Sequence, residues 1–229
     1  TSAMRESKNG KDIAYKVKFL LGVDIQIIDG EKEAELINKV LFSELDEHSY
    51  IHIDVGGGST EINIFDNRKK IATHSFKIGS VRRLSGLDTS EEWENMRSWI
   101  EKNTHNIPKP IMAIGTGGNI GKLYELANPG KSKGNVKQVI SLHKMEEIRE
   151  LISQYSLEDR INVLMLNPDR ADVIIPASDI YLSAMKFAKA TKMQVPEVGL
   201  KDGLMLMLYE KNKKNRGKNT FVNVNKYAK

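Results

Sequence analysis

An aspartate and a glutamate flank a turn of three consecutive glycines in the stretch Asp54-Val55-Gly56-Gly57-Gly58-Ser59-Thr60-Glu61. Glycine has no Cβ, so the amides of Gly56, Gly57 and Gly58 can turn together toward an anion and their backbone can approach it closely. Ser59 and Thr60 add hydroxyl donors. Asp54 and Glu61 put carboxylates at the two mouths of the loop, beside any phosphate it would hold. Carboxylates next to phosphate oxygens suggest a divalent cation between them, and Mg²⁺ is commonly held by one or two carboxylates, water and the substrate's own phosphates. The plainer reading is a loose hairpin turn between two strands. A bare turn does not require Asp, Ser, Thr and Glu at these four offsets, which favours phosphate binding.

A second glycine loop, Gly115-Thr116-Gly117-Gly118-Asn119, follows the short apolar run Ile111–Ile114 and leads into a helix-like segment. Strand, glycine turn and helix start form an anion site of backbone N–H groups, although the same pattern also makes an ordinary tight turn. Glu31 and Glu33 open another helix, where the helix dipole favours acids whatever their function. There is no cysteine, which excludes thiol chemistry and disulfides. His52 and His74 read as strand residues, and the other three histidines show no metal-binding spacing.

Around these loops the periodicity sets out the elements. Ile13, Ala14, Val17, Leu20 and Leu21 form the face of a helix over 12–21, stopped by Gly22, and Val23, Ile25 and Ile27 alternate as a short strand. A helix over 31–42 buries Ala34, Ile37, Val40 and Leu41. Strands over 50–55, 60–65 and 69–77 make an antiparallel meander. Thr89-Ser90-Glu91-Glu92 is a capping box before a helix that buries Trp93, Met96 and Ile100. Next come a strand at 111–114, a helix over 120–126 and a polar loop over 128–136. A helix over 144–153 precedes a longer one over 167–190, in which Pro176 marks a kink or the true start. A last strand lies within 193–198, before a final helix over 204–209.

The chain has 229 residues, 40% hydrophobic and 28% charged, with a net charge of +5. That is the composition of a globular protein, without a membrane-length apolar run. The basicity is local. Glu210–Lys229 holds seven Lys or Arg against one Glu, leaving −1 over residues 1–209. The tail therefore reads as a solvated segment, and no specific nucleic-acid partner is expected. No signal-peptide pattern is visible, and a cytoplasmic protein is expected.

The order of strands, helices and glycine loops resembles a ribonuclease-H-like domain of the actin and hexokinase superfamily. More narrowly, the chain resembles the exopolyphosphatase and guanosine pentaphosphate phosphohydrolase (Ppx/GppA) family. The resemblance rests on 1–6, Gly30-Glu31-Lys32-Glu33-Ala34-Glu35, Asp54–Glu61, Gly79-Ser80-Val81-Arg82, Gly115–Gly118 and Gly199-Leu200-Lys201-Asp202-Gly203. It implies an α/β fold with a mixed five-stranded sheet and helices on both faces. Residues 1–45 would be the end of a first actin-like domain, 46–210 a second, complete one, and 211–229 a basic polar tail. The family's first phosphate loop, a strand followed by an Asp-x-Gly-Ser-Asn pattern, has no match here, so a fragment of a longer protein is expected. Asn119 stands where relatives often carry a hydroxyl residue, and Lys201 where many carry Arg.

The resemblance also implies a mechanism, hydrolysis of the terminal phosphoanhydride of inorganic polyphosphate or of guanosine pentaphosphate (pppGpp) with Mg²⁺. Glu33 would orient or deprotonate the attacking water, and Asp54 and Glu61 would lie near metal and water. Gly56, Gly57, Gly58, Ser59 and Thr60 would form the phosphate loop, and Gly115, Thr116, Gly117 and Gly118 the second. Arg5 and Arg82 would offset phosphate charge. Family members often dimerise, so a homodimer is an expected assembly. An actin-fold kinase and a phosphate- or nucleotide-binding module without turnover are the alternatives. The first would need an adenine pocket, and the second would bind polyphosphate tightly without releasing phosphate.

Overall fold

The computed structural model describes residues 4, 5, 7–42, 44–107, 110–130 and 137–219. Helix α1 (Gly10–Leu21) ends at Gly22, whose left-handed backbone lets its N–H reach the Lys18 carbonyl. Residues 22–29 then run outside any helix or strand, contrary to the strand expected at Val23–Ile27. Alternating apolar residues make a strand only when a neighbour takes the backbone hydrogen bonds. No strand among the described residues pairs with this segment, and Val23 is 54% exposed. Helix α2 (Gly30–Leu41) starts where the Asp29 carboxylate accepts the Lys32 N–H at 2.7 Å.

The expected meander is present as β1 (Tyr50–Val55), β2 (Thr60–Asp66) and β3 (Lys69–Phe76). Asn67 and Arg68, both at positive φ, close the β2–β3 hairpin in two residues. After α3 (Ser80–Leu84) comes α4 (Ser90–Thr104), capped by the Thr89 side chain. The second arm of that capping box reaches elsewhere, since Glu92 accepts the Lys77 N–H at 2.8 Å and ties α4 to the end of β3. Strand β4 (Met112–Thr116) lies parallel to β1, and α5 (Gly118–Ala127) follows.

Beyond it stand β5 (Val139–Ser141), α6 (Leu142–Ser153), α7 (Leu157–Asn162), α8 (Pro168–Ala171), α9 (Ile174–Ala188), β6 (Lys192–Gln194) and α10 (Leu200–Asn219). The sheet thus has six strands rather than five, ordered β3-β2-β1-β4-β6-β5. The additional strand is three residues long, too short to show a period. The helix expected over 167–190 is two helices, with Pro176 in the first turn of α9, where a missing N–H breaks no intrahelical bond. The final helix runs well past 209, so the basic stretch from Lys211 begins as the second half of α10. Residues 220–229 lie outside the described residues.

The sheet separates two cores of unequal size. On one face Ile51, Ile53, Val55, Ile62 and Ile64 pack with Met96 and Ile100 of α4, Met145 and Ile148 of α6, and Ile180 and Tyr181 of α9. On the other face Tyr50, Phe65 and Ile114 meet Ile37 and Leu41 of α2, with Leu200 of α10 packed alongside. Asp54 and Glu61 alternate in phase with Tyr50 and Phe65, and therefore belong to the face that α2 covers.

Candidate active site

Strands β1 and β4 are neighbours running the same way, so both glycine loops leave the same end of the sheet side by side. In open α/β sheets that end is where ligands bind. In the first loop the Gly56 N–H closes the turn on the Ser59 carbonyl at 2.9 Å. The loop's carbonyls face α3. Ser80 N–H donates to Gly56 O at 2.9 Å, Val81 and Arg82 N–H donate to Gly57 O at 2.9 and 3.0 Å, and the Arg82 Nε donates to Gly58 O at 2.9 Å. In a trans peptide the carbonyl and the next N–H point opposite ways. Holding those three carbonyls therefore turns the N–H groups of Gly57, Gly58 and Ser59 together to the other side, and among the described residues nothing accepts from Gly57 or Gly58. Gly79 permits this docking, because a Cβ there would lie 2.4 Å from Gly57 O.

Asp54 and Glu61 sit directly opposite each other on β1 and β2, and Ser75 of β3 extends the row. Glu61 Oε1 accepts from Ser59 Oγ at 2.7 Å and from Ser75 Oγ at 2.9 Å. Like charges directly opposite on adjacent strands repel, an arrangement a bound cation would offset. Two hard carboxylate donors beside a nest of backbone N–H groups fit Mg²⁺, which commonly takes the rest of its shell from water and a bound anion. Among the described residues no set of three acids or histidines forms a metal cage on its own. Thr60 is fully buried and its hydroxyl donates to the Ile78 carbonyl, so its side chain braces the loop from below.

The second loop passes beside Asp54. Gly117 has φ +104°, which side-chain-bearing residues rarely adopt, and a Cβ there would lie 3.2 Å from Asp54 Oδ1. Gly115 lies inside β4, paired with Ile53, and its missing side chain makes room for Met193 and Ile120. Thr116 is buried at the strand end. The Tyr181 hydroxyl of α9 donates to the Thr116 carbonyl at 2.6 Å and accepts the Val55 N–H at 3.4 Å, bridging the point where β1 and β4 part into their loops. Burial, and then the Asp54 charge, raise the Tyr181 phenol well above its ordinary pKa, so it stays a neutral donor. Over Gly118 lies Arg170 of α8, whose Nη1 donates to the Gly118 carbonyl at 3.2 Å. Beyond these residues opens a cleft of about 1360 Å³, lined by Lys122, Tyr124, Arg170 and Lys201 among others.

The structure thus brings together Asp54, Gly56, Gly57, Gly58, Ser59, Glu61, Thr116, Gly117 and Gly118. Arg82 fixes the first loop from behind. Glu33 lies in the first turn of α2, the helix that covers the Asp54 and Glu61 face; its side chain lies outside the described residues. Arg5 donates to the Ile28 carbonyl at 3.4 Å, in the segment leading to α2. Sequence reasoning missed Arg170 and Tyr181. Both reach the second loop from more than 50 positions along the chain, and no local motif announces them.

The sequence profile of the Ppx/GppA phosphatase family matches residues 1–212. Exopolyphosphatase 1 of Mycobacterium tuberculosis is 23% identical over 229 residues, covering 90% of this chain and 64% of the relative. A guanosine-5'-triphosphate,3'-diphosphate pyrophosphatase of Photobacterium profundum is 26% identical, covering 92% of this chain and 44% of that protein. The chain therefore spans under two thirds of the length of these relatives. Among solved structures, an exopolyphosphatase from Cytophaga hutchinsonii superposes with a TM-score of 0.77 at 21% identity over 91% of this chain and 73% of that one. An Aquifex aeolicus Ppx/GppA family member gives 0.68 at 23% over 92% and 72%. These establish an actin-like fold. The matched stretch takes in both glycine loops, the acidic row, α2 and the first part of α10, and the chain belongs to the Ppx/GppA phosphatase family.

Proposed function

We propose that this chain carries the catalytic loops of a phosphohydrolase that removes the terminal phosphate from inorganic polyphosphate or from pppGpp. The observation that carries this reading is the convergence of two glycine loops on Asp54, with Glu61 opposite it on the neighbouring strand. Residues 1–45 would belong to a first actin-like domain and 46–210 to a second, with the substrate's phosphates between them.

The N–H groups of Gly57, Gly58 and Ser59 and the backbone at Thr116–Gly118 would hold the phosphate oxygens, with Arg5 and Arg170 supplying positive charge. Asp54 and Glu61 would hold Mg²⁺, which neutralises charge on the transferring phosphoryl group when bound. Glu33 would accept a proton from the attacking water as its oxygen bonds to the terminal phosphorus. The anhydride P–O bond then breaks and the shortened chain leaves with that bond's electrons. Phosphoryl transfer depends mainly on positioning and charge stabilisation, and one carboxylate for the water completes the set.

The test is phosphate release from polyphosphate, pppGpp and ATP, with and without Mg²⁺, by wild type and Glu33→Gln. Release from polyphosphate or pppGpp should fall roughly 10²- to 10⁴-fold in the variant. Full activity in Glu33→Gln would remove its role. No release from any substrate, with polyphosphate still bound, would turn the reading to a binding module, and preference for ATP with an acceptor would turn it to a kinase.

A further inference from the structure

One row below Asp54 and Glu61, on the same face of the sheet, begins a line of polar side chains, three of which the proposed reaction does not use. Thr73, Asn63 and His52 are in register across β3, β2 and β1, and Thr116 completes the line from β4. Thr73 Oγ1 donates to Asn63 Oδ1 at 2.7 Å. Asn63 Nδ2 faces His52 Nδ1 at 3.0 Å, and His52 Nε2 faces Thr116 Oγ1 at 2.9 Å. His52, Asn63 and Thr116 are each no more than 1% exposed. An unpaired polar atom on any of these three would be strongly destabilising, so their bonds work only when complete, while Thr73 closes the line from the exposed edge strand.

Its bonds have a direction. The Thr73 hydroxyl donates to the amide oxygen, which leaves the amide NH₂ facing the ring and makes His52 Nδ1 an acceptor. Between two uncharged partners the ring carries one proton, and it must then sit on Nε2. Thr116 Oγ1 is therefore an acceptor toward His52, and its own proton is left to point elsewhere. Its partner in the parallel register is Asp54, and the second glycine loop starts at the next residue. With every bond reversed, Thr116 would give its proton to His52 and turn only lone pairs toward a site built for anions.

We propose that His52 is a positioning residue, its Nε2–H holding Thr116 as a hydrogen-bond donor toward the Asp54 carboxylate and the phosphate oxygens between the two loops. This rests on the reading of those loops as a phosphate site, and it adds to that reading what orients Thr116.

The experiment is two-bond ¹H–¹⁵N correlation on protein labelled at histidine nitrogens, with the His52 signals identified by their loss in His52→Gln. A proton on Nε2 and an acceptor Nδ1 are expected. A proton on Nδ1 overturns the proposal whatever the activity, and this arm needs no substituted protein beyond the assignment.

A second arm measures binding of inorganic phosphate with Mg²⁺ by calorimetry. Thr116→Val, which lacks the hydroxyl, should bind phosphate about tenfold or more weakly than Thr116→Ser, which keeps it. Equal binding by the two variants overturns the donor role. If wild type shows the Nε2 proton yet binds no phosphate, the loop reading itself fails and takes the donor role with it, an outcome distinct from a reversed tautomer.

Discussion

His52 should leave a mark on stability as well as on the site. Complete burial pushes its folded pKa down from 6.5 to about 3. Between those values the unfolded chain binds a proton that the native protein does not, so the linkage slope is positive and stability rises with pH. The group's full stabilisation is thus present above pH 6.5 and falls, by about 1.4 kcal/mol per pH unit, as pH drops toward 3. Urea denaturation at pH 7 and pH 5 should show this loss in wild type and a smaller one in His52→Gln; equal losses would mean that the ring is protonated in the native state too. His52 was legible as a strand residue, but its partners were not, because Asn63, Thr73 and Thr116 meet it only once the register of four strands is known. Asp54 and Glu61 could be read as a pair because a hairpin relates them, and a hairpin's register follows from its own turn.

At the level of elements, the placement of α2 depends on a close crossing with α10. A Cβ on Gly203 would lie 2.0 Å from the Leu36 carbonyl oxygen, a backbone atom that moves only with its helix. Gly203→Ala should therefore push α2 off the acidic row and destabilise by about 1–3 kcal/mol, as overpacking does. In the proposed reaction phosphate release should drop with it, since Glu33 rides on that helix. Gly121, inside α5, has nothing within 4 Å of its would-be Cβ. Gly121→Ala should instead stabilise by roughly 0.5–1 kcal/mol. Thermal melts of the two variants compare the cases directly, and a neutral Gly203→Ala would show the crossing to be looser than it stands here. Long periodic helices and the glycine-punctuated hairpin were readable for the same reason, since their signals are local. The segment at 23–28 looked like a strand because alternation records one buried face but not whether a neighbouring strand exists. Strand β5 escaped notice because three residues carry no period, and its pairing with β6 over Val139–Ser141 is a tertiary fact.

Across the whole molecule, the two cores differ in a way that bears on the proposed reaction. The face toward α4, α6 and α9 holds most of the buried apolar residues, while α2 rests on the smaller cluster of Ile37, Leu41, Leu45, Tyr50, Phe65 and Ile114. Buried apolar contact sets local stability, so α2 and α10 should open before the central strands do. Amide exchange should be faster in 30–41 and 200–208 than in β1 and β4. A ligand that binds only the closed arrangement raises the free energy of opening. Adding polyphosphate and Mg²⁺ should therefore slow exchange in 30–41 as well as in 56–60 and 116–118, because the proposed reaction holds its water between Glu33 and the terminal phosphate and so needs α2 seated. Protection confined to the two loops would mean that phosphate binds without engaging α2, and the catalytic carboxylate would then have to be sought on another element.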